Sequence, residues 1–573
     1  MRNHEVAWVF QRIADLLEIK GAPSYKVRAY RRAAHSILAL PRPVEDYHAE
    51  GRLTEIPGVG KALAGKIDEI LASGTCRLLK ELEEEVPPGL LEMLEVPGVG
   101  AKTAALVYRQ LGITDLDGLE RAARDHRLRT LPGMGGKKES NILHGIALVR
   151  RRPDRLPLGV ARSLAESIRE ALVRSGLAER VEIAGSLRRW RETVGDIDLV
   201  AASPHPEQLV EVFTALPICE EVIEKGPTRA RIRCRPVGQV DLRVVSGDEF
   251  PCALLYLTGS KEHNLRLRSL AQRKGLKLNE YGLFRGGERL AIACEADVYE
   301  ALGLQWIPPE LREDAGEIEA ALRGELPRLI ELDDIKGDLH VHTTWTDGTA
   351  DILEMAGAAA ELGYSYLAIC DHSKSLTVAV GLDEKRLLEQ KAAVERYRKR
   401  STEPYLLAGV EVDILADGTL DLEESVLAGL DVVCASVHRA FRQSREDMTA
   451  RLLRALRSPV VRVLGHPTGR LLGTRESCDI DLEAVMEAAA AEGKILEVNA
   501  SPERLDLNDA GIRMAKAKGC LLAINTDAHG PAGLRDMRYG VGIARRAGVT
   551  PDMVINTWPL DRLLAYLRSA ANT

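Results

Sequence analysis

Residues 185–198 read GSLRRWRETVGDID and close with two aspartates, Asp196 and Asp198, one residue apart. Side chains on an extended strand alternate faces with a period of two, so both carboxylates point the same way while the apolar residues between and after them point into a core. Adjacent carboxylates repel each other unless a cation lies between them, and hard oxygen ligands suit Mg²⁺ or Mn²⁺. A third acid, Asp241, occurs in another β-rich run at 238–245. The pattern predicts a divalent-metal site on strands.

The beginning of the same stretch carries groups that suit a phosphate. Gly185 and Ser186 predict an open turn with a hydroxyl, and Arg188 and Arg189 follow with two guanidinium forks. Such groups bind the phosphate tail of a nucleotide. A strand that ends in two solvated aspartates would explain the acids alone, but not the turn, the arginines and a third strand acid together.

These residues resemble the palm signature of the family X DNA polymerases, with Trp190 where polymerase beta has glycine. The resemblance implies two-metal nucleotidyl transfer in which Asp196 and Asp198 bind both ions and Asp241 binds only the catalytic one. The nucleotide contacts that it implies are Ser186, Arg189, Gly195 and Arg155 at the triphosphate, Tyr256 at the sugar, and Asn264 and Arg268 in the minor groove. A charged linker, residues 150–155, is the alternative explanation of Arg155.

The bulk composition limits the class of protein. A chain of 573 residues is too long for one core, and its 45% hydrophobic content is ordinary for globular protein. No apolar run reaches the length of a membrane span and no signal-peptide pattern begins the chain, so we expect a cytoplasmic, nucleoid-associated protein without membrane contact. The nine cysteines form no Cys-x-x-Cys motif, which argues against a thiolate zinc site. The net charge of -7 does not decide DNA binding, because basic residues cluster in the first half.

The first 150 residues predict helices joined by repeated glycine turns. The sequences IPGVGK at 56–61 and VPGVGAK at 96–102 are near-identical, and LPGMGGK at 131–137 is a looser third copy. The glycines allow close backbone approach, and the free N–H groups of the helix that follows can bind a DNA phosphate. A purely structural turn is the alternative. The turns resemble the helix-hairpin-helix motif, whose DNA-binding candidates here are Gly58, Gly60, Lys61, Gly98, Gly100 and Lys102.

A second resemblance concerns the first of these modules. Its spacing is similar to that of the small polymerase beta domain that holds the 5′-phosphate of a gap, with Lys66 at the lyase lysine and Lys26 at a phosphate contact. An amine among basic neighbours can form a Schiff base with an abasic sugar. The second lysine of that pocket is displaced to Lys61, with Ala62 in its place, so lyase activity stays open.

The block from residue 336 onward has a pattern of its own. Strand-like runs alternate with Ala-rich helices, which predicts a β/α barrel with its chemistry at the strand ends. All six histidines of this block fall at these ends, together with three carboxylates. The nine candidate ligands are His340, His342, Asp347, His372, Glu411, His438, His466, Asp527 and His529. Mixed imidazole and carboxylate ligands favour Zn²⁺, Mn²⁺ or Fe²⁺, and nine exceed what one ion needs, so we predict two or three Zn²⁺ or Mn²⁺ ions.

This block resembles the polymerase and histidinol phosphatase (PHP) domain, with Asp347 where several members have histidine. The resemblance implies 3′-5′ exonuclease action, with abasic-site cleavage or 3′-phosphate removal also possible. Together the two halves are similar to the bacterial family X polymerases along essentially the whole chain.

The predicted fold is therefore multidomain: a helical helix-hairpin-helix region, an α+β nucleotidyltransferase palm and a distorted TIM-like barrel. The predicted domains are a helical DNA-binding domain with a helix-hairpin-helix at 1–85, a second helix-hairpin-helix subdomain of the fingers or thumb type at 86–150, the palm at 151–245, a nascent-base-pair subdomain at 246–318, a linker at 319–336 and the PHP domain at 337–573.

The function that these expectations support is the filling of short gaps in DNA repair by a monomer that uses dNTPs and gapped or nicked DNA, with an associated exonuclease. One alternative is a phosphoesterase that uses a degenerate palm only to bind DNA, against which the three aspartates argue. The other is a non-catalytic DNA-end scaffold with structural metal sites. Structural zinc sites are usually closed and thiolate-rich, unlike this open ligand set.

Overall fold

The computed structural model describes residues 3–38, 40, 44–73, 75–94, 96, 98–151, 155–234, 238–401 and 403–569. The chain divides into two compact units, residues 1–154 and 155–573. Pro97 of the second glycine turn and residues 152–154 of the basic stretch ahead of Arg155 lie outside the described residues. No helix within the described ranges combines the length and apolar character needed to cross a bilayer.

The first unit is helical, as predicted. Its described helices are α1 Asn3–Lys20, α2 Ser24–Leu38, α3 Val44–Ala49, α4 Lys61–Ser73, α5 Arg77–Glu85, α6 Pro88–Met93, α7 Ala101–Leu111, α8 Leu116–Arg124 and α9 Gly136–Arg151. Helix α1 packs against α2, α4, α5 and α7, and the apolar residues at its helical spacing, such as Phe10 and Ile13, are fully buried. Each of the three glycine turns leads directly into a helix, α4, α7 or α9.

The palm follows as a five-stranded sheet with its two longer helices packed on one face. Its elements are β1 Leu156–Pro157, α10 Leu158–Arg174, β2 Arg180–Ile183, α11 Gly185–Arg188, β3 Thr193–Val194, β4 Asp196–Ala202, α12 Pro206–Thr214, β5 Cys219–Lys225, β6 Arg229–Cys234 and β7 Gly238–Val245. The strand order is β2-β4-β7-β6-β5, in which only β4 and β7 run parallel. Ile168 of α10 and Phe213 of α12 share a core with Ile197 and Val240 of the sheet.

A smaller α/β module comes next. Its elements are α13 Phe250–Thr258, α14 Lys261–Arg273, β8 Leu276–Asn279, β9 Gly282–Arg285, β10 Glu288–Arg289, α15 Glu295–Ala301 and α16 Glu317–Arg323. Three antiparallel strands in the order β10-β9-β8 pack with the helices around Tyr299. The predicted linker, 319–336, contributes Ala321 to this core and Ile330 and Ile335 to the core of the last block.

The last block is a nearly closed parallel barrel, which confirms the β/α prediction. Its elements are β11 Gly337–Val341, α17 Ile352–Glu361, β12 Tyr366–Ile369, α18 Glu384–Arg398, β13 Tyr405–Asp413, α19 Glu424–Leu427, β14 Val432–Ser436, α20 Arg445–Leu456, β15 Val463–Leu464, α21 Leu482–Ala491, β16 Ile495–Asn499, α22 Asp509–Ala517, β17 Leu521–Asn525, α23 Met537–Arg546 and α24 Leu560–Ser569. The seven strands pair in chain order, and Val341 bridges to Ala528 across the seam. Parallel pairing brings all the carboxyl ends to one rim.

Candidate active sites

The three predicted palm carboxylates lie together on the sheet. Asp198 of β4 stands directly opposite Asp241 of β7, and Asp196 precedes it on the same face. One oxygen from each of the three lies within 4.8 Å of the others. Gly185 makes room for this arrangement, because a Cβ there would overlap the Asp198 carboxylate and its φ of +62° suits glycine.

The electrostatics of these acids fit a cation. Burial, followed by repulsion from Asp196 and Asp241, raises the pKa of Asp198 to about 7. Asp241 is held by Arg231, whose Nε donates to Oδ1 over 2.6 Å, and by Gln239, whose amide donates to Oδ2 over 2.8 Å. A divalent ion among three oxygens would replace the proton on Asp198 and relieve the repulsion.

The predicted phosphate turn is a one-turn helix, α11, because the amide of Arg188 bonds the carbonyl of Ala184 over 3.1 Å. It carries Ser186, which is half-buried. Arg189, just after it, donates Nε to Glu313 over 3.0 Å and Nη1 to the carbonyl of Thr258. The predicted triphosphate contact is thus engaged with protein acceptors in this state.

The remaining predicted nucleotide contacts form two local groups. Arg155 bonds the hydroxyl and carbonyl of Thr193 at 3.1 and 2.7 Å, which places it beside Gly195. Tyr256 is 40% exposed at the end of α13, and its carbonyl accepts from the Asn264 amide at 2.7 Å. Arg268 is exposed on α14.

The predicted DNA contacts of the first unit are nearly all at its surface. Exposed residues are Lys26, Gly58, Gly60, Lys61, Gly98, Gly100 and Lys102. Lys66, one turn beyond Lys61 on α4, is half-buried. Gly58 and Gly98 adopt left-handed φ angles of +82° and +91°, which only glycine adopts easily. The turns therefore present the first N–H groups of α4 and α7, which have no intrahelical acceptor.

All nine predicted ligands of the barrel meet at the carboxyl rim. Among these nine residues, three groups have ligand atoms within 4.8 Å of one another: His342, Asp347, His372 and His529; His340, His342 and Asp527; and His372, Glu411 and His438. Glu411 lies at the centre, with nitrogens of five imidazoles within 4 Å. They are His340 at 3.5 Å, His342 at 3.7 Å, His372 at 2.7 Å, His438 at 3.2 Å and His466 at 2.9 Å.

The donor set of the barrel centre fits metal ions. Fully buried ligand atoms without a hydrogen-bond partner among the described residues include His340 Nε2, both nitrogens of His342, His438 Nε2 and Glu411 Oε2. Unpaired buried polar atoms are costly, and cations would satisfy them. Burial, then the imidazoles of His529 and His372, lowers the pKa of His342 to about 3. Burial opposes the charge of Glu411, but the surrounding histidines hold its pKa well below the ordinary value.

Sequence reasoning missed the residues that orient these ligands. Glu497 of β16 accepts from His340 Nδ1 over 2.8 Å and from the amide of His466 over 2.6 Å, which turns His340 Nε2 towards the cluster. The signal that could have found it is a lone acid inside the otherwise apolar run 495–498. Arg504 lies 3.2 Å from Asp527, and no local pattern indicates it.

Family models match four parts of the chain. A helix-hairpin-helix domain matches residues 1–76, a SAM-like helix-hairpin-helix tandem 90–147, the DNA polymerase beta thumb 253–313 and the PHP domain 338–501. The thumb model lies within the predicted nascent-base-pair subdomain, 246–318.

Three relatives extend these matches. The chain is 37% identical over 572 residues to the DNA polymerase/3′-5′ exonuclease PolX of Bacillus subtilis (strain 168), covering 99% of this chain and 100% of the relative. It is 28% identical over 332 residues to DNA polymerase lambda of Rattus norvegicus, which is 52% of this chain and 54% of that protein. A probable phosphatase of Thermoanaerobacter sp. (strain X514) is 30% identical over 247 residues, which is 40% of this chain and 94% of that protein.

Proposed function

The chain belongs to the PolX family of bacterial DNA polymerase/3′-5′ exonucleases, and we propose that it fills short gaps during base excision repair and trims 3′ ends with its barrel centre. The observation that carries the polymerase half is the register of β4 and β7, which sets Asp198 opposite Asp241 beside Asp196. A palm kept only for DNA binding would have no need for three mutually repelling carboxylates on one face.

In the palm, Asp196 and Asp198 are proposed to hold two Mg²⁺ or Mn²⁺ ions, and Asp241 to hold the one nearer the primer end. Such a pair activates the primer 3′-hydroxyl and neutralises the leaving pyrophosphate. Arg231 and Gln239 now donate hydrogen bonds to the Asp241 carboxylate. These bonds would be replaced when Asp241 binds the ion near the primer terminus.

The incoming dNTP is proposed to lie between α11 and α14. Ser186, Arg189, Gly195 and Arg155 would hold the triphosphate. Tyr256 would face the sugar, and Asn264 and Arg268 would contact the nascent pair from the minor groove. Arg189 Nε now donates to the Glu313 carboxylate. To bind the triphosphate, the Arg189 side chain must break this hydrogen bond or bond the carboxylate and the triphosphate together.

In the barrel, the nine rim residues are proposed to hold two or three Zn²⁺ or Mn²⁺ ions, and Glu411 would lie at the centre of this ligand set. Bound ions of this kind activate a water and clamp a scissile phosphate. Glu497 fixes the ring of His340, and Asp347, 36% exposed, opens the rim towards solvent. The proposed reaction is 3′-5′ exonucleolysis, and abasic-site cleavage or 3′-phosphate removal would use the same residues.

The DNA substrate is proposed to be gapped or nicked. Helix-hairpin-helix turns bind phosphates without reading sequence, which suits an enzyme that must act at any gap. Lys26 is proposed to meet the 5′-phosphate of the gap, and Lys66 is proposed to occupy the position of the lyase lysine. A monomer acting on chromosomal DNA would work in the cytoplasm at the nucleoid.

The test is primer extension and shortening on a duplex with a one-nucleotide gap, with Mn²⁺ present. We expect Asp196→Ala with Asp198→Ala to abolish extension only, and His340→Ala with His342→Ala to abolish shortening only. Survival of extension without Asp196 and Asp198 would contradict the palm assignment. The alternative, a phosphoesterase that uses the palm region to bind DNA, would then be favoured.

A further inference from the structure

Trp190, which stands where polymerase beta has glycine, inserts into the PHP domain. Its φ of +56° lies in the left-handed region. The ring packs on Gly542 of α23 so closely that a Cβ there would overlap it. Tyr539 meets the ring edge-on with centroids 6.1 Å apart, and the Arg162 guanidinium lies 3.9 Å from the ring centroid. The residue next to Arg189 is thus held by the other catalytic domain.

Arg546, at the end of the same helix, contacts the turn directly. Its side chain is 4% exposed. Nη1 donates to the carbonyl of Arg189 over 2.6 Å and to Glu313 Oε1 over 2.9 Å, and Nη2 donates to Asp509 over 3.2 Å. The oxygen of Glu313 that accepts from Arg546 also accepts Nε of Arg189 over 3.0 Å. Two guanidinium groups, one from each domain, therefore share one carboxylate oxygen.

Other pairs join the PHP domain to the rest of this unit but do not reach Arg189. They are Arg470 with Glu192 at 2.8 Å, Arg538 with Glu166 at 3.3 Å and Arg545 with Glu310 at 2.7 Å. Arg546 differs because its partners are the backbone of the predicted triphosphate residue and the acid that holds that residue's side chain.

This sharing has an energetic consequence for Arg189. A partly buried carboxylate that loses its closest cations is left poorly compensated, which is unfavourable. With Arg546 in place, Glu313 keeps a guanidinium partner when Arg189 turns to a triphosphate. Without Arg546, Glu313 would keep only Arg189 on this oxygen and Arg191 on the other, and Arg191 is 46% exposed and 3.5 Å away, so Arg189 would be released less easily.

We propose that Arg546 and Trp190 are positioning residues of the nucleotide site: the PHP domain holds the turn that carries Arg189 and supplies a buried guanidinium to the Glu313 oxygen that Arg189 also bonds, so that Arg189 is free to bind the triphosphate. The inference rests on the proposed polymerase function. It assigns to the PHP domain a part in dNTP binding that is separate from its own metal centre.

The test is single-nucleotide gap filling by the full-length protein, with KM for dNTP and kcat measured separately. Arg546→Gln is expected to raise KM about tenfold while kcat changes less than about twofold. Arg546→Lys should recover part of the loss. In a Glu313→Gln background the same change should have little further effect, because the charge that Arg546 compensates is gone. Exonuclease activity should stay at the wild-type level, which reports an intact, metal-loaded barrel.

A second arm tests the packing at Trp190. Trp190→Gly removes the strain of the left-handed backbone but also removes the ring that packs on Gly542. Gly542→Ala places a methyl group where the ring lies and displaces it. Both variants should therefore raise KM for dNTP. Gly357→Ala is the control, because a Cβ at that α17 position meets no atom within 4 Å. Unchanged KM in Arg546→Gln would overturn the proposal, as would a joint fall of kcat, exonuclease activity and melting temperature. Failure of wild-type extension would instead contradict the proposed function.

Discussion

Asp198 and Asp241 are register partners on the parallel strands β4 and β7, although 43 positions separate them in the chain. Replacing Asp241 with Asn keeps the shape but removes a charge from the proposed catalytic ion site. We expect insertion to fall by roughly 10²–10³-fold with exonuclease activity unchanged, measured by single-turnover gap filling. Asp248→Asn, at an exposed acid just after β7, is the control. An equal loss in both variants would argue against a specific role.

Metal affinity of the palm should depend on pH near neutrality. Because burial and its neighbours raise the pKa of Asp198 to about 7, this acid carries a proton below that pH, and the proton must leave when a cation binds. Mg²⁺ affinity should therefore rise by about five- to tenfold between about pH 6 and pH 7, then level off. Calorimetry of the His340→Ala, His342→Ala protein, with the signal of the same protein carrying Asp196→Ala and Asp198→Ala subtracted, isolates the palm. A pH-independent affinity would contradict the raised pKa.

Removing metal should destabilise the barrel. Buried ligand atoms of His340, His342, His438 and Glu411 make no hydrogen bond to another described residue. We expect a chelator to lower the melting temperature by on the order of 5 °C, and Mn²⁺ or Zn²⁺ to restore it. Asp196→Ala with Asp198→Ala should keep this response, whereas His342→Ala should weaken it. A melting curve indifferent to chelator would argue that the rim does not bind ions tightly.

Glu497 should set metal affinity without touching an ion. Glu497→Gln keeps the size of the side chain but weakens the bonds that orient His340 and position the His466 backbone. Metal affinity should fall by about 10- to 100-fold, as for other residues behind a ligand. Glu492→Gln, at an exposed acid after α21, is the matched control. The exonuclease rate, measured across a titration with Mn²⁺, gives the change in metal affinity.

The left-handed glycines of the hairpin turns should matter for DNA binding. Gly98 has a φ of +91° and no atom within 4 Å of a would-be Cβ, so Gly98→Ala imposes backbone strain without a clash. We expect the dissociation constant for gapped DNA to rise about tenfold.

Gly112→Ala is the control for that change, because it carries similar strain at a φ of +66° but lies at the end of α7, outside the turn. It should lower stability and leave DNA affinity nearly unchanged. Equal affinity losses in the two variants would show that strain, rather than the turn, is responsible. Binding by fluorescence anisotropy across salt concentrations measures both.

Some of this protein could be predicted from sequence because the deciding patterns are local. The period of two along 196–199 sets which side chains share a face, and repeated glycine turns mark where helices begin. Alternating strands and helices predict a parallel barrel, and parallel pairing brings the ends of distant strands to one rim. Residues at those ends could therefore be grouped before any contact was known.

Tertiary structure alone decided the partners. The predicted open turn is the short helix α11. Arg189 bonds Glu313, which lies 124 positions away in the chain. Arg546 donates to the carbonyl of Arg189 from 357 positions away, and Trp190 packs on Gly542. Glu497 supports His340 from 157 positions away. Local periodicity specifies the face on which a side chain lies, but a partner depends on how separate elements pack. The sequence by itself thus determined the types of the ligand residues and their positions at strand ends. The packing of separate elements decided which other residues bond and orient those ligands.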